Sequence, residues 1–451
     1  MKQILKNKWF KFAIVAVVYT LWFVVWTKNL WLLLGLPIIF DLYITKFIPR
    51  LLRWEQHEER KRKNKTYKEI FSWLDAIVFA LVFAWLINIY IFQMYTIPTS
   101  SMEKTLLVGD YLCVSKSTYG PRMPQTPLSL PLMHHTTPWG TKSYSEAIKL
   151  PYKRLGGKRS VERGDIVVFN FPAGDTVILE RQNETYYDIV RQFTSAYGEK
   201  KGRAEMNRRY HITSRPVDKR EHYVKRCVAV AGDTLEVRGS VLWVNGEEQN
   251  YIDNQQYIYF VQTSAPLSKK AFERLGVSPD EVHYSASTGV YTMPLTKAAV
   301  ALLEGMSNVE SITQNVSTEP YLAVFPNNPN YQWTEDNFGP LWVPQKGATV
   351  AITTENLPLY ERIIKNYEGH DLRVDGDKVY IDGAESVSYT FAMDYYFMMG
   401  DNRHMSADSR FWGFVPEDHV VGTPSFVWLS LDKYKPFPSN IRWGRMFKAH
   451  K

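Results

Sequence analysis

Three short stretches of this chain carry residue types that could do covalent chemistry together. The first is Ile97-Pro98-Thr99-Ser100-Ser101-Met102, followed by Thr105-Leu106-Leu107-Val108-Gly109-Asp110. Ser101 offers a hydroxyl that becomes a useful nucleophile once a neighbouring base takes its proton. The second is Tyr223-Val224-Lys225-Arg226-Cys227-Val228, where Lys225 sits in an otherwise mostly apolar strand pattern. A strand lysine commonly points to solvent. A buried one loses its charge, because desolvation disfavours the ammonium, and the neutral amine is a general base that needs no histidine. The third runs from Phe397 through Gly400-Asp401-Asn402-Arg403 to Ser406-Ala407-Asp408-Ser409-Arg410-Phe411-Trp412-Gly413. This polar cluster, flanked by glycines and hydrophobic strand patterns, reads as a loop held by its own hydrogen bonds. Taken alone it could be an acidic calcium-type loop, but its spacing departs from the EF-hand pattern.

Other chemistries find less support. The histidines show no His-Glu-x-x-His or paired ligand spacing, and His134-His135 are adjacent in a proline-rich loop and expected at the surface, so neither a metal nor another cofactor is expected. Two cysteines in 451 residues exclude a disulfide scaffold or a Cys-rich zinc module. Cys113 and Cys227 could pair in an oxidising compartment, but both fall in predicted strands and are read as a reduced, buried pair. Apolar residues at 45% and charged residues at 22% exclude a largely disordered chain. The net charge of +8 suggests a nucleic-acid partner until its distribution is considered. Residues 1–70 hold 14 basic and 5 acidic residues, and the remainder holds 40 and 41, so the basicity is N-terminal and no nucleic acid is expected.

The elements that must position these groups begin with a membrane anchor. Ala76–Tyr95 is 20 uncharged residues, ~30 Å as a helix, one bilayer core. Phe12–Trp26 has 15 uncharged residues, and Leu30–Ile48 is apolar apart from Asp41 and Lys46; these are two further spans or a single interfacial hairpin. Val25-Trp26-Thr27-Lys28 offers no cleavage site, which favours a retained anchor over a signal peptide. The basic Arg50–Glu69 loop, with Arg60–Lys65, places itself in the cytoplasm and everything after Tyr95 outside it. Ser101 is then within ~20 Å of the last span, within reach of substrates held at the membrane surface.

Beyond the anchor the chain reads as mainly β. Strands are predicted at Tyr111–Val114, Ile166–Phe171, Tyr223–Val230, Leu235–Val237, Val241–Val244, Val379–Ile381 and Tyr395–Met399, and helices at Leu295–Glu304 and Leu357–Tyr367. Five prolines mark 120–140 as irregular, either lying along the membrane or forming a solvated loop. Leu235–Gly246 aligns without gaps on Leu372–Gly383, each a hairpin followed by an Asn-Gly or Asp-Gly turn; chance convergence and partial duplication both account for it.

Together with Arg163-Gly164-Asp165-Ile166-Val167-Val168-Phe169, these stretches resemble the type I signal peptidases, the membrane-bound Ser/Lys leader peptidases of bacteria. The boxes occur in the family's order, and the Gly-Asp-Asn-Arg-x-x-Ser-x-Asp-Ser-Arg run at 400–410 is the most specific. The resemblance implies a signal-peptidase/LexA-like β fold behind N-terminal transmembrane helices. It implies Ser101 as nucleophile, Lys225 as general base, and Thr99 with the Ser101 N–H as oxyanion hole. Ser406 would orient the lysine, Asp408 and Arg410 would support the loop, and Asp401 and Arg403 would be structural. Tyr95, Ile97, Pro98, Met102, Tyr223 and Val224 would contact substrate, with small residues (Ala-x-Ala) before the cut. The implied organisation is a membrane anchor (1–96), a catalytic β domain (97–246 and 391–435), a β-rich insertion of open role (247–390) and a C-terminal tail (436–451). The implied partners are secretory preproteins and the lipid bilayer, for a monomer near the export machinery of the bacterial inner membrane, with its catalytic domain periplasmic. Phe411 replaces a common tyrosine, and His404-Met405 replaces a more polar pair without expected consequence. The alternatives are an inactive membrane-tethered binding paralogue, a self-cleaving protease of the same fold class, and an adhesion protein, which would leave the three motif clusters unexplained.

Overall fold

The computed structural model describes residues 7–26, 30–51, 53–182, 184–249 and 253–448. Two of its helices, Lys8–Val25 and Lys65–Tyr90, are long and apolar enough to cross a membrane. The second has 26 residues, ~39 Å of rise, and no buried side chain. Asn64 caps it by accepting the Tyr67 N–H at 3.0 Å. Leu32–Thr45 is a shorter apolar helix. It packs back on the first through the Phe12 and Phe40 rings, 5.4 Å apart, and the Tyr19 hydroxyl donates to the Leu32 carbonyl at 2.7 Å. Asp41, the charge that weakens this run in sequence, accepts the Phe47 and Ile48 N–H groups, both at 2.8 Å, and so turns the chain at its end.

The long helix starts earlier than the uncharged run and stops at Tyr90, not Tyr95. Phe92–Thr96 is instead an edge strand, paired antiparallel with Asp110–Ser115 so that Tyr95 faces Leu112. The alternating pattern of Phe92-Gln93-Met94-Tyr95-Thr96 suits a half-covered strand, and pairing satisfies backbone groups that a frayed helix end would leave open.

That strand opens a seven-stranded antiparallel sheet. Its order is Phe92–Thr96, Asp110–Ser115, Val420–Ser430, Ile166–Asn170, His222–Ala229, Tyr395–Met399 and Val415–Pro416. Ile166-Val167-Val168-Phe169 is apolar throughout because both faces are covered. Ile166 and Val168 join Met102, Leu106, Leu112 and Val427, while Val167 and Phe169 join Cys227, Met398 and Trp412. Cys113 and Cys227 are both buried and free. Three strand spacings, ~14 Å, separate their strands, which agrees with the reduced, buried state read from the sequence.

All seven strands expected from sequence are present, and the helix expected at Leu357–Tyr367 is continuous as Leu357–Arg362 and Ile363–Tyr367. The other helix is Lys297–Glu304, capped by Thr296; Leu295 ends a strand. Residues 257–314 build a four-stranded sheet with its own core of Val261, Tyr291, Met293, Leu295 and Leu303. The helices Tyr186–Tyr197 and Glu199–Arg209 have no counterpart in the sequence reading. The second carries seven charged residues among its eleven and no apolar stripe to announce it.

The two similar hairpins share one register. Leu235 pairs with Val244 and Leu372 with Ile381, and the next strands add identically, Trp243 to Glu248 and Tyr380 to Glu385. Asn245 and Asp382 both take positive φ, and each accepts an N–H from the residue 11 positions earlier, Thr234 and Asp371. Both hairpins contribute to one core, through Leu235, Leu242 and Val244 from the first and Val379 from the second.

Residues 120–140 lack helix and strand but are anchored. Arg122 donates to the Asp418 carbonyl and to Asn170 Oδ1, both at 2.5 Å, and the Thr126 N–H and hydroxyl donate to Asp218. His134 and His135 are half-buried rather than at the surface. His134 contacts the Arg220 carbonyl at 2.8 Å with its ring tilted 40° against that of His222, 4.4 Å away, and His135 contacts Glu221 at 2.9 Å.

Candidate active site

Ser101 lies in the turn that leaves the Phe92–Thr96 strand. Met102 and Leu106, both fully buried, drive this turn into the core. The Leu106 N–H bonds the Met102 carbonyl at 2.7 Å and the Glu103 N–H bonds the Ser100 carbonyl at 2.9 Å. Gly109 returns the chain toward the next strand at φ +88°, where a Cβ would meet the Leu431 carbonyl oxygen at 2.1 Å. Met102 is therefore a core anchor and does not line the cleft expected to hold substrate.

Lys225 reaches Ser101 from the centre of the sheet. Its strand pairs Val167 with Lys225 on one side and Met399 with Arg226 on the other. Lys225 Nζ donates to Ser101 Oγ at 2.6 Å, with only 4% and 7% of the two residues exposed. Burial lowers the amine to about 8, against the opposing pull of the Asp408 and Asp401 carboxylates.

The 400–410 loop closes the site from the far side. Gly400 packs so closely that a Cβ would lie 2.3 Å from Ser406 Oγ and 2.6 Å from the Ser101 carbonyl oxygen. The Asn402 N–H donates to that carbonyl at 3.1 Å and its side-chain amide to the Ser100 carbonyl at 3.3 Å. Asp401 takes a two-pronged bond from Arg226, at 2.9 and 2.8 Å, and a third from the Thr105 hydroxyl at 2.6 Å. Asp408 accepts the Gly400 N–H at 3.0 Å and both prongs of Arg410 at 2.9 and 2.8 Å. Burial alone would raise Asp408; Arg410 overcomes it and holds the carboxyl below its ordinary value. Arg403 is fully buried, with its N–H on the Gln256 carbonyl at 2.8 Å. Ser406 Oγ is buried without a hydrogen-bond partner among the described residues, so the bond expected between it and the lysine is not made.

A cleft of about 280 Å³ opens beside the Ser101–Lys225 pair. Tyr95, Ile97, Pro98, Thr99, Tyr223 and Val224 line it. Thr99 is exposed, two residues before Ser101. Leu112, Val168, Met405 and Ala407 also face this space.

The supports that the sequence reading missed come from the 247–390 stretch. The Gln256 N–H bonds the Asp401 carbonyl at 3.0 Å, and the Ile258 N–H donates to His404 Nδ1 at 3.1 Å. His404 Nε2 then donates to Asp336 Oδ1 at 2.8 Å, which also accepts Ser240 Oγ at 2.6 Å. Glu335, Asp336 and His404 have the makings of a cation site. Both Asp336 oxygens and both His404 nitrogens are already bonded within the protein, and Arg410 donates to the Glu335 carbonyl at 3.2 Å. The cluster is a tether between the loop and the rest of the domain. The supposed tail also contributes, since Arg445 donates to Asp110 at 2.6 Å and to the Thr105 carbonyl at 2.9 Å, beneath the Ser101 turn. None of these contacts has a local sequence signal, because each joins residues far apart in the chain.

Comparison with known families adds a decisive observation. The model described as "Signal peptidase, peptidase S26" matches residues 70–293 and 342–429, which include Ser101, Lys225 and the whole 400–410 loop. The chain belongs to the signal peptidase family, peptidase S26. It is a serine peptidase and thus a hydrolase, with a mainly-β domain behind apolar N-terminal helices. Among its relatives is the signal peptidase I of Haemophilus influenzae, 24% identical over 395 residues that cover 87% of this chain and 80% of that protein. Those of Buchnera aphidicola from Acyrthosiphon pisum (24% over 410 residues, 90% of each chain) and Helicobacter pylori strain 26695 (25% over 397 residues, 86% and 93%) are similar to it as well. Residues 294–341 lie between the two matched stretches.

Proposed function

We propose that this chain removes N-terminal signal peptides from exported preproteins, with Ser101 as nucleophile and Lys225 as its general base. The observation that carries the reading is the 2.6 Å contact between Lys225 Nζ and Ser101 Oγ, in surroundings that lower the amine to about 8. Neutral Lys225 takes the Ser101 proton as Oγ bonds to the scissile carbonyl carbon. The proton then passes to the leaving amine as the C–N bond breaks, and Lys225 next takes a proton from the water that hydrolyses the acyl-enzyme. The Thr99 hydroxyl and the Ser101 N–H hold the oxyanion. Asp408 and Arg410, through the Gly400 N–H and their own two-pronged pair, keep the loop against the amine.

The cleft walls support a preference for small side chains before the cut. Ile97, Pro98, Tyr223 and Val224 bound it, and Leu112 and Val168 face into it, so these walls are largely apolar. An Ala-x-Ala pattern fits such walls.

The apolar helices support a membrane anchor. By the positive-inside rule the basic Arg50–Glu69 loop is cytoplasmic and the β domain lies on the extracytoplasmic side of a bacterial inner membrane. Leu128, Leu130, Leu132 and Trp139 are 47%, 47%, 58% and 80% exposed in the loop nearest the helix end, and suit a face turned to lipid. The nucleophile and base come from one chain, which fits a monomer beside the export machinery.

The test is preprotein processing by membranes that contain Ser101→Ala or Lys225→Met. Both variants are expected to insert and fold with processing lost. Cleavage retained by either would refute the dyad.

A further inference from the structure

A second cavity, of about 420 Å³, adjoins the cleft, and His222 lines both. The His222 and Tyr95 rings, 4.8 Å apart, form the partition. At its far end the cavity reaches Trp85 and Asn88, in the last turns of the long apolar helix. It therefore joins the outer end of that helix to the active-site cleft.

Three polar groups at the partition and beyond it lack partners among the described residues. Tyr95 Oη, at the partition, is buried without a hydrogen bond. In the cavity, half-buried Lys116 makes no hydrogen bond or ion pair among the described residues. Asp218 Oδ2 accepts from Thr126, while its Oδ1 is buried with no partner. Arg122, the other cation lining this space, is committed to the Asp418 carbonyl and Asn170. Burial and that guanidinium lower Lys116 to about 7, so near neutrality its amine is half uncharged and suits a neutral carbonyl oxygen better than an anion. A donor for a carbonyl oxygen and an acceptor for an N–H are together what a peptide group requires. Met94, Leu130 and Leu132 offer apolar surface for the side chains beside it.

The spacing fits a polypeptide that enters from the cleft. His222 stands three residues before Lys225 on one strand, ~10 Å from it. A substrate lying extended from the Ser101–Lys225 pair covers that distance in three residues, so its fourth and earlier residues before the cut pass the partition.

We propose that this cavity is an exosite for extended peptide, holding the part of the preprotein that begins four residues before the cut. A backbone carbonyl there accepts from Lys116, a backbone N–H donates to Asp218 Oδ1, and Tyr95 Oη bonds the chain where it crosses the partition. The inference rests on the reading of Ser101 and Lys225 as the pair that cleaves signal peptides, and adds how the enzyme grips its substrate beyond the small residues at the cut.

The test uses the full-length protein in detergent and two synthetic peptides. One runs from three residues before the cut to two after it; the other is extended to eight before it. The longer is expected to have a kcat/KM roughly twentyfold higher, mainly through KM, for two added hydrogen bonds. Lys116→Met is expected to lower that advantage about fivefold, while the short peptide, which stops at the partition, reports whether the variant still folds and cleaves. Replacing the N–H groups four, five and six residues before the cut, one at a time, by ester oxygens should cost wild type about fivefold at one of them. Equal kcat/KM for the two peptides in wild type overturns the proposal, as does an undiminished advantage in Lys116→Met or indifference to every ester. Ser101→Ala separates the two readings. Cleavage of both peptides by that variant refutes the nucleophile, whereas loss of both, with a wild type that ignores peptide length, refutes only the exosite.

Discussion

Asp336 accepts a 2.8 Å hydrogen bond from His404 Nε2, two residues before Ser406, across 68 positions of sequence. The same carboxylate takes the Ser240 hydroxyl and the Ser317 N–H. Asp336→Ala should therefore strand three donors in a buried place, at about 1–3 kcal/mol. The expected outcome is a lower urea midpoint and a fall in kcat with little change in KM. An unchanged midpoint would show that the tether is not needed.

Gly400 has no room for a side chain. A methyl group there would lie within 2.6 Å of both Ser406 Oγ and the Ser101 carbonyl oxygen. Gly400→Ala is expected to lower kcat/KM by roughly a hundredfold, since small misplacement of reacting groups is costly. Circular dichroism should report an intact β fold in the same sample.

The activity should follow deprotonation of Lys225. With the amine at about 8, the base form increases as pH rises. Roughly one tenth is neutral at pH 7 and nine tenths at pH 9, so kcat/KM should climb about ninefold between them. A pH–rate profile on a short peptide checks this, and a flat profile would contradict a titrating lysine base.

Arg226 and Asp401 form a two-pronged pair, 2% and 1% exposed at their side chains. Arg226→Met removes one partner and leaves a buried carboxylate, which should cost about 3–5 kcal/mol. Arg226→Met combined with Asp401→Leu should recover part of that loss in chemical denaturation. A double variant no more stable than the single would argue that the pair does not set the cost.

Cys113 and Cys227 should both be free thiols. Alkylation in denaturant without reductant should add two labels per chain by mass. A chain that takes none would place a disulfide where the sheet order keeps the two strands apart.

Much of the site is legible because its chemistry is carried by contiguous boxes. Ser101, Lys225 and the 400–410 loop stand out by residue type and flanking strand pattern, and the structure brings all three together. The tether through Gln256, Ile258 and Asp336 is not legible, because nothing near those residues marks them. Met102 illustrates the reverse limit. It adjoins Ser101 in sequence, yet the turn points it into the core, and sequence adjacency does not say which way a side chain faces.

The order of residues alone determined the apolar helices, the N-terminal basicity, the strand-rich remainder and the shared hairpin pattern, since each is a local matter of periodicity, charge or turn type. The tertiary structure alone decided where the span ends, because Tyr95 has the hydrophobicity of the helix but finds its partner in Leu112. It also decided that Val420–Ser430, from near the end of the chain, lies between Asp110–Ser115 and Ile166–Asn170, and that Lys225 meets Ser101 across 124 positions. Strand partnership is a long-range choice governed by which apolar faces can be buried together, and no window of neighbouring residues contains that information.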